Sequence, residues 1–299
     1  MDEEKDIEMT QSPEGTYLPV KEKRKVPYLH ILLFLLTLLS TLVAGALQKG
    51  VNPLREPGRL YEGIPFSFTL MFILLSHELS HYFASRRHHT KATLPYFIPA
   101  PSMIGTFGAF IKMKSPIGSR RALIDIGASG PIAGFIVSVF AVVAGLGWSE
   151  VVSIEPSAAT IRLGDSMLFS SLSELIIGTP AEGRDILLHP VAFAGWIGFF
   201  VTSLNLIPIG QLDGGHIAFA FLGGFHRALS FVLVIVLAVL GFFLWEGWSF
   251  WALLMLLFGL RHPPVMRWEV PLDPGRRLIG ALSLFIFVIT FIPVPFSVG

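Results

Sequence analysis

The sequence contains no cysteine among its 299 residues. It forms no disulfide and offers a metal no thiolate, which leaves histidine, aspartate and glutamate as side-chain ligands. Charged residues are scarce at 14%, and hydrophobic residues make up 53%. A soluble domain has about 25% charged residues, so this balance predicts a polytopic membrane protein. The net charge is only +1, which gives no indication of a nucleic-acid partner.

Seven apolar stretches are candidates to cross a bilayer. They lie at about residues 28–47, 64–86, 122–147, 188–207, 228–246, 248–260 and 278–295. The fifth and sixth are nearly continuous and are broken only at Glu246-Gly247, for which we favour a tight hairpin over one long tilted helix. We therefore predict an all-α polytopic membrane protein, a bundle of about seven transmembrane helices that forms a single membrane-embedded domain over residues 28–299.

The first apolar stretch follows a polar tail, residues 1–27, which we expect to be disordered and cytoplasmic. A signal peptide is the alternative for that stretch, but its apolar run is too long for one. Lysine and arginine are concentrated in the segments that a cytoplasmic N-terminus puts inside. The segments on the other side hold only Lys49, Arg55, Arg59, Arg162 and Arg184. The asymmetry predicts a cytoplasmic N-terminus.

The most informative short motif is His77-Glu78-Leu79-Ser80-His81, near the end of the second apolar stretch. Histidines four residues apart lie on the same side of a helix. This is the zinc-metalloprotease pattern, in which two imidazoles bind the metal and the glutamate is the general base. The alternative is a histidine pair and a glutamate at an interfacial helix end. Ionisable groups at membrane depth are costly, which favours a functional site.

A catalytic zinc needs a third protein ligand, and Asp213 is the best candidate. Pro208 and Gly210 precede it and are expected to end the incoming helix, so that the chain can turn inward. The alternative for Asp213 is the N-cap of a short helix at 214–223. His216 either supports a metal ligand or, as we favour, is a structural cap or an interfacial histidine.

Residues 94–113 are apolar but contain three prolines, which exclude a regular spanning helix. Their second half alternates weakly between apolar and polar residues, as a strand does. Non-helical backbone at membrane depth persists only where it is buried in protein or lines a cavity. We predict a small re-entrant β-like segment here, with a plain interfacial loop as the alternative.

Two further patterns concern packing and the membrane surface. Gly127, Gly130 and Gly134 form a stripe of small residues on the third apolar stretch, which lets that helix pack close to the one with the His-Glu motif. The remaining histidines in basic stretches are expected at the membrane surface, and these are His88, His89, His226 and His262.

Together these motifs resemble the site-2 protease family of intramembrane zinc metalloproteases. The matching elements are His77-Glu78-x-x-His81, Gly130-Pro131-Ile132-Ala133-Gly134, and Asn205-x-x-Pro208 followed by Leu212-Asp213-Gly214. They cover a core at about residues 64–225, and the chain is similar to a compact member without a PDZ domain. A catalytic site toward the cytoplasmic side is also implied.

The resemblance implies one catalytic Zn²⁺ bound by His77, His81 and Asp213. Glu78 is then the general base. Asn205 either donates to the oxyanion or orients the substrate, with a polar contact between helices as the alternative. The expected substrate is a transmembrane helix of another protein within the lipid bilayer.

A transmembrane substrate must replace its helical hydrogen bonds before it is cut, and an exposed strand edge can supply partners. The residues expected to contact substrate are Pro95, Phe97, Thr106, Phe107 and Gly108. The main alternative function is a metal or proton transporter with an intramembrane His/Glu/Asp site. Transporters often have repeated halves, and no internal repeat is apparent here. A catalytically inactive scaffold that binds membrane helices is a third alternative.

Overall fold

The chain is mostly helical in the computed structural model, which describes residues 9–11, 17–19, 26–153 and 161–298. Within these ranges the helices are α1 (Tyr28–Gln48), α2 (Ile64–Arg87), α3 (Arg120–Leu146), α4 (Met167–Ile176), α5 (Pro190–Leu206), α6 (Asp213–Leu222), α7 (His226–Phe243), α8 (Gly247–Phe258) and α9 (Pro274–Thr290). A 3₁₀ helix, Pro57–Gly63, leads into α2, and another, Gly223–Phe225, joins α6 to α7.

The strands are short and form antiparallel pairs. They are β1 (Met9–Gln11) with β2 (Tyr17–Pro19), β3 (Tyr96–Pro99) with β4 (Thr106–Phe110), β5 (Glu150–Ser153) with β7 (Arg184–Leu187), and β6 (Ile161–Leu163) with β8 (Phe296–Val298). The first pair falls in the tail expected to be disordered. Most of that tail lies outside the described residues, so its disorder stays a prediction.

Each of the seven predicted spans contains one helix. Four helical segments are long and apolar enough to cross a membrane, namely Tyr28–Gln48, Pro57–Arg87, Arg120–Leu146 and Asp213–Phe243. Shorter apolar helices include Pro190–Leu206 and Gly247–Phe258. The prediction of a helical, multi-pass membrane protein is confirmed, while the number of seven spans stays a prediction. The break expected at Glu246 and Gly247 is present, because α7 ends at Phe243 and α8 begins at Gly247.

Helices α2, α3 and α5 pack together at the centre of the bundle. Glycines on α5 make its contact with α3 close: a Cβ added at Gly195 would lie 2.8 Å from Val142 Cγ2 and 3.0 Å from the Ser138 carbonyl oxygen. Small residues at such positions let helix backbones approach each other within a membrane. The largest fully buried side chains include Leu123, Ile124, Ile126, Trp196 and Phe199.

Helix α1 holds the β3–β4 hairpin against the bundle through polar contacts. The Ser40 hydroxyl donates to the Gly105 carbonyl at 2.6 Å, and the hydroxyls of Thr41 and Ser67 lie 2.7 Å apart. Because few polar groups are available in an apolar bundle, each such hydrogen bond helps to fix which neighbour α1 contacts. The hairpin is thereby fixed next to α2, which carries the His-Glu motif.

Candidate metal centre

His77 and His81 face the same side of α2, toward α3 and α6. Both side chains are buried, and their Nε2 atoms lie 3.1 Å apart. Helical geometry accounts for this arrangement, because residues four apart are neighbours on a helix surface. The pair sits in the last turns of the helix, which ends at Arg87.

Asp213 reaches the two histidines because the chain turns sharply after α5. Helix α5 ends at Leu206, Gly210 has a positive φ of 55°, and α6 begins at Asp213 itself. The Asp213 Oδ2 atom lies 3.2 Å from His77 Nε2 and 3.1 Å from His81 Nε2. The cap position of α6 is Leu212. The Asp213 carboxylate therefore faces the histidines and is not the N-cap of α6.

The three side chains fit a metal ion. The nearest oxygen and the two ring nitrogens form an almost equilateral triangle with sides of 3.1–3.2 Å. Ligands at about 2.0–2.1 Å from a tetrahedral zinc are separated by roughly 3.4 Å. Two nitrogens and one oxygen are a common donor set for catalytic zinc. Among the described residues, these three side chains form a group whose ligand atoms are close enough together to bind one metal ion.

Helix α3 fixes the orientation of both imidazoles. The His81 Nδ1 atom lies 2.8 Å from the Ile126 carbonyl oxygen, so Nδ1 carries the hydrogen and donates a hydrogen bond to this oxygen. This tautomer leaves the Nε2 lone pair free for a metal. A Cβ at Gly130 would overlap the His81 ring, and a Cβ at Gly134 would lie 3.1 Å from His77 Nδ1. The predicted close packing of the glycine stripe on α2 is therefore present.

Glu78 and Asn205 lie next to this group. The Glu78 carboxylate is buried beside the histidines, and the backbone N–H of Ile111, just after β4, faces it. The Asn205 Nδ2 atom lies 3.5 Å from His77 Nε2. The structure thus brings together all five residues singled out from the sequence as ligands, base and amide.

The five residues expected to contact substrate have different environments in the β3–β4 hairpin. Pro95 and Phe97 are buried, and the Phe97 ring packs edge-on against Phe34 at 5.2 Å. Thr106 is also buried and donates to the Ile98 carbonyl at 2.8 Å. Phe107 is exposed, and Gly108, with a φ of 98°, lies at a bulge where the pairing of the two strands shifts.

The expectation of surface histidines is wrong for His226, which is 1% exposed. It packs with Phe219 and His262 in an aromatic cluster, where the His216 Nδ1 and His262 Nε2 atoms lie 2.6 Å apart. Packing of α6 against the segment after α8 buries these rings. The basic residues near them in the sequence gave no indication of this burial. Burial lowers the pKa of His262 below its ordinary value.

Sequence reasoning missed Asp125, an acidic residue within the third apolar stretch. Its Oδ2 atom accepts from Arg276 Nε at 3.1 Å and lies 2.8 Å from His88 Nε2, so it joins α3 to α9 and to the end of α2. Arg276 also bonds Asp273, the N-cap of α9, and holds the pKa of that carboxyl below its ordinary range. A lone carboxylate in an apolar stretch was the signal available.

Comparison with known proteins agrees with the motifs. The model of peptidase family M50 matches residues 65–245. The chain is 32% identical over 247 residues to "Probable zinc metalloprotease EGY1, chloroplastic" of Arabidopsis thaliana, covering 77% of this chain and 43% of that protein. It is 29% identical over 244 residues to the Arabidopsis thaliana "Probable zinc metalloprotease EGY2, chloroplastic", covering 80% and 43%.

A more distant relative is "Probable zinc metalloprotease EGY3, chloroplastic" of Oryza sativa subsp. japonica, at 25% identity over 270 residues. The chain spans less than half the length of these curated relatives. No solved structure matches the chain. The family match covers more than half of the chain and includes the α2 motif, the glycine stripe and Asp213. The chain therefore belongs to peptidase family M50, the site-2 protease family.

Proposed function

We propose that this protein is an intramembrane zinc metalloprotease that hydrolyses peptide bonds within or next to transmembrane helices. The observation that carries the proposal is the triangle formed by His77, His81 and Asp213, with Glu78 beside it. The two histidines are buried among apolar helices, and Asp213 is partly buried. The names of the relatives, which are probable zinc metalloproteases, support the choice of metal and reaction.

His77, His81 and Asp213 would hold the zinc. When bound, zinc lowers the pKa of a coordinated water to about 7 and polarises the scissile carbonyl. The hydrogen bond from His81 Nδ1 to the Ile126 carbonyl selects the tautomer whose Nε2 lone pair faces the site, and Gly130 leaves room for the ring. The protein thus supplies two imidazoles and one carboxylate in a fixed arrangement.

Glu78 would move the proton in this reaction. Its carboxylate takes a proton from the water as the water oxygen bonds to the carbonyl carbon of the substrate. The carbon–nitrogen bond then breaks, and Glu78 delivers the proton to the departing amine nitrogen. The products are a carboxylate and an amine, so no other reactant is needed. Burial beside the histidines holds Glu78 close to the place where the water would be activated.

Asn205 would stabilise the negative charge that develops on the carbonyl oxygen. Its amide nitrogen is 3.5 Å from a proposed ligand atom, which brings an N–H donor near the reacting carbonyl. A fixed donor in a dry site is worth far more than one in water, because no solvent screens it. A purely structural contact between helices would need no proximity to the metal site.

The edge of β4 would bind the unwound substrate. Strand β3 packs against α1, whereas β4 lies toward α2, and the Ile111 N–H at its end faces Glu78. An extended substrate segment added to this edge would replace lost helical hydrogen bonds and approach the catalytic group. The exposed Phe107 would contact the substrate or lipid. The buried Phe97 would instead hold the hairpin in place.

We further propose seven spans, a re-entrant β3–β4 hairpin and an active site in the cytoplasmic half of the bilayer. The distribution of lysine and arginine supports a cytoplasmic N-terminus. It also assigns the α2 end with Arg86 and Arg87 to the cytoplasmic side. Water would then reach Glu78 from that side.

The test is zinc content and cleavage of a model transmembrane peptide by the purified protein in liposomes. Glu78→Gln is the control, because it preserves the shape of the side chain but accepts no proton. We expect one zinc per chain in both proteins and cleavage at least about 100-fold slower in the variant. Equal cleavage by both proteins with zinc bound contradicts the assigned mechanism.

The same preparation tests the transporter alternative. Liposomes that contain a zinc-sensitive or a pH-sensitive dye report ion flux on the same samples that are assayed for cleavage. We expect cleavage without flux. Zinc or proton flux without cleavage would contradict the protease and favour a transporter.

A further inference from the structure

Two adjoining cavities lie at the end of the bundle where α6 ends. The first, the apolar cavity, has a volume of about 340 Å³ between α6 and α9, and its lining includes Ile217, Leu284 and one basic residue, Arg277. The second, the arginine cavity, has a volume of about 520 Å³ and is lined by Arg120, Trp268 and residues near the end of α6. Phe221 lines both, so the two cavities adjoin at its ring.

Both cavities contain a guanidinium group without a carboxylate partner among the described residues. Arg276 is neutralised by Asp125 and Asp273, but Arg277, the next residue, is exposed and forms no ion pair there. Arg120 donates from Nε to the Ala220 carbonyl at 2.8 Å and stacks 4.6 Å from the centre of the Trp268 ring. Neither contact neutralises its charge. The two arginines thus flank Phe221 with two positive charges.

The position of the cavities corresponds to a membrane interface. Helix α3 begins at Arg120, α6 ends at Leu222 and α9 begins at Pro274. Arg120 donates to the Ala220 carbonyl and Arg121 pairs with Asp273, so these helix ends lie at the same end of the bundle. Tryptophan and arginine are typical of the headgroup level. From Arg277 the apolar cavity follows α9 as far as Leu284, a rise of about 10 Å along the helix.

We propose that this double cavity binds one anionic phospholipid. The phosphate lies between Arg120 and Arg277, and one acyl chain fills the apolar cavity beside α6 and α9. Guanidinium groups form strong paired hydrogen bonds with phosphate, and basic pockets between transmembrane helices suit anionic headgroups. Two guanidinium groups favour an occupant that carries a phosphate over an uncharged substrate helix, which has no group to neutralise them.

The lipid would also contact the helix that carries Asp213. Leu206 and Gly214 line the apolar cavity, and Gly214 follows Asp213 directly. An acyl chain in this place would fill the space behind the first turn of α6. Binding would therefore stabilise the segment that positions the third metal ligand.

The chain has no cysteine, so Ala281→Cys introduces a single thiol into the lining of the apolar cavity. Its rate of labelling by a maleimide is measured in detergent with dioleoyl phosphatidylglycerol, with dioleoyl phosphatidylcholine, or with glycerol phosphate alone. We expect phosphatidylglycerol to slow labelling about 25-fold more than phosphatidylcholine, because each of the two arginines near the anionic headgroup contributes about fivefold. Glycerol phosphate alone should give no protection, because it has no acyl chain.

Arg277→Gln in the Ala281→Cys background should reduce the difference between the two lipids to about fivefold, the contribution of Arg120, and Arg277→Lys should retain most of the full difference. The matched control is Arg227→Gln, an exposed arginine outside both cavities, which should leave the difference unchanged. Circular dichroism of each variant checks that it is folded.

Equal protection by both lipids, or full protection in Arg277→Gln, overturns the proposal. Protection by glycerol phosphate alone indicates an anion site, and protection only by a transmembrane peptide indicates a substrate groove; either result also overturns it.

Discussion

The imidazole of His81 occupies the space that a side chain at Gly130 would need. A Cβ built at Gly130 would lie 2.5 Å from His81 Cδ2 and 2.6 Å from Cε1, closer than real contacts allow. Helices α2 and α3 are therefore so close that the position opposite this proposed ligand must be glycine. The Ile126 carbonyl on the same helix accepts the hydrogen bond from His81 Nδ1. One face of α3 thus determines both the position and the tautomer of the ring.

Gly130→Ala should weaken zinc binding. The added methyl group must displace the His81 ring or push α3 away, and either movement breaks the match between the three ligand atoms. We expect zinc affinity to fall about 10- to 100-fold, as it does when groups that orient metal ligands are altered. The measurement is zinc retention in a competition with a chelator, with cleavage of a transmembrane peptide as a second readout.

Gly58→Ala is the matched control for this substitution, because a Cβ at Gly58 meets no atom within 4 Å. The Gly58→Ala variant should bind zinc with the same affinity as the unmodified protein. Unchanged zinc affinity in Gly130→Ala, with a folded protein, contradicts the proposed role of the close approach.

Local signals in the sequence predicted the positions of the helices well. The first span was expected at 28–47 and the helix is Tyr28–Gln48, and the break near Glu246 is present. Long apolar runs and glycine or proline interruptions are properties of neighbouring residues, so they can be read directly from the chain. The small elements between residues 148 and 187, including α4, have weaker local signals and were not predicted.

Site residues that lie close together in the sequence were easier to predict than those that lie far apart. His77 and His81 follow from their spacing, whereas Asp213, 136 residues after His77, was a candidate from its proline and glycine context and gained support from the resemblance to a family. The contact between Asp125 and Arg276 spans 151 residues, and no pattern in the sequence pairs them. His226 is buried because α6 and the segment after α8 meet around it. Burial of this kind depends on tertiary packing, which neighbouring residues do not determine.

Asn205→Leu should slow catalysis without removing zinc. If the amide donates to the developing oxyanion, its loss should lower kcat about 100- to 1000-fold with little change in zinc content. The measurement is initial rates in liposomes over a range of substrate densities, together with metal analysis. The control is Ser203→Ala on the same helix, where the hydroxyl donates to the Phe200 carbonyl at 2.8 Å. A variant that loses thermal stability but keeps kcat would show that Asn205 is a helix contact alone.

Ala109→Pro should impair cleavage of membrane substrates. Alternate residues of a strand direct their N–H groups to opposite edges. The Ile111 N–H faces Glu78, so the Ala109 N–H lies on the same outer edge of β4, away from β3. Proline removes this donor without removing a bond to β3. We expect cleavage of a transmembrane peptide to fall about five- to tenfold, the effect of one hydrogen bond.

Ala109→Val is the control for the strand edge, because it keeps the N–H and adds a side chain that is favourable in strands. Its rate should stay within about twofold of that of the unmodified protein. Circular dichroism checks that the hairpin variants remain folded. Full activity in Ala109→Pro would rule out hydrogen bonding of the substrate at this position.

The stability of α9 should depend on acid pH through Asp273. The Asp273 carboxylate accepts from the Arg276 backbone and side chain, which lowers its pKa below the ordinary value of 3.8. A depressed pKa in the folded state stabilises the protein above the unfolded pKa, and the contribution is lost as the pH falls through the folded pKa. Asp273→Asn keeps an oxygen for the cap but carries no charge.

Thermal unfolding of the protein and of Asp273→Asn is therefore compared from neutral pH to about pH 2. The unmodified protein should have the higher Tm above pH 3.8, and the difference should shrink below that value. Glu269→Gln, at an exposed carboxylate without an ion pair among the described residues, is the control and should show no such difference. A difference between the protein and Asp273→Asn that does not shrink as the pH falls below 3.8 would mean that the charge of Asp273 is not its source.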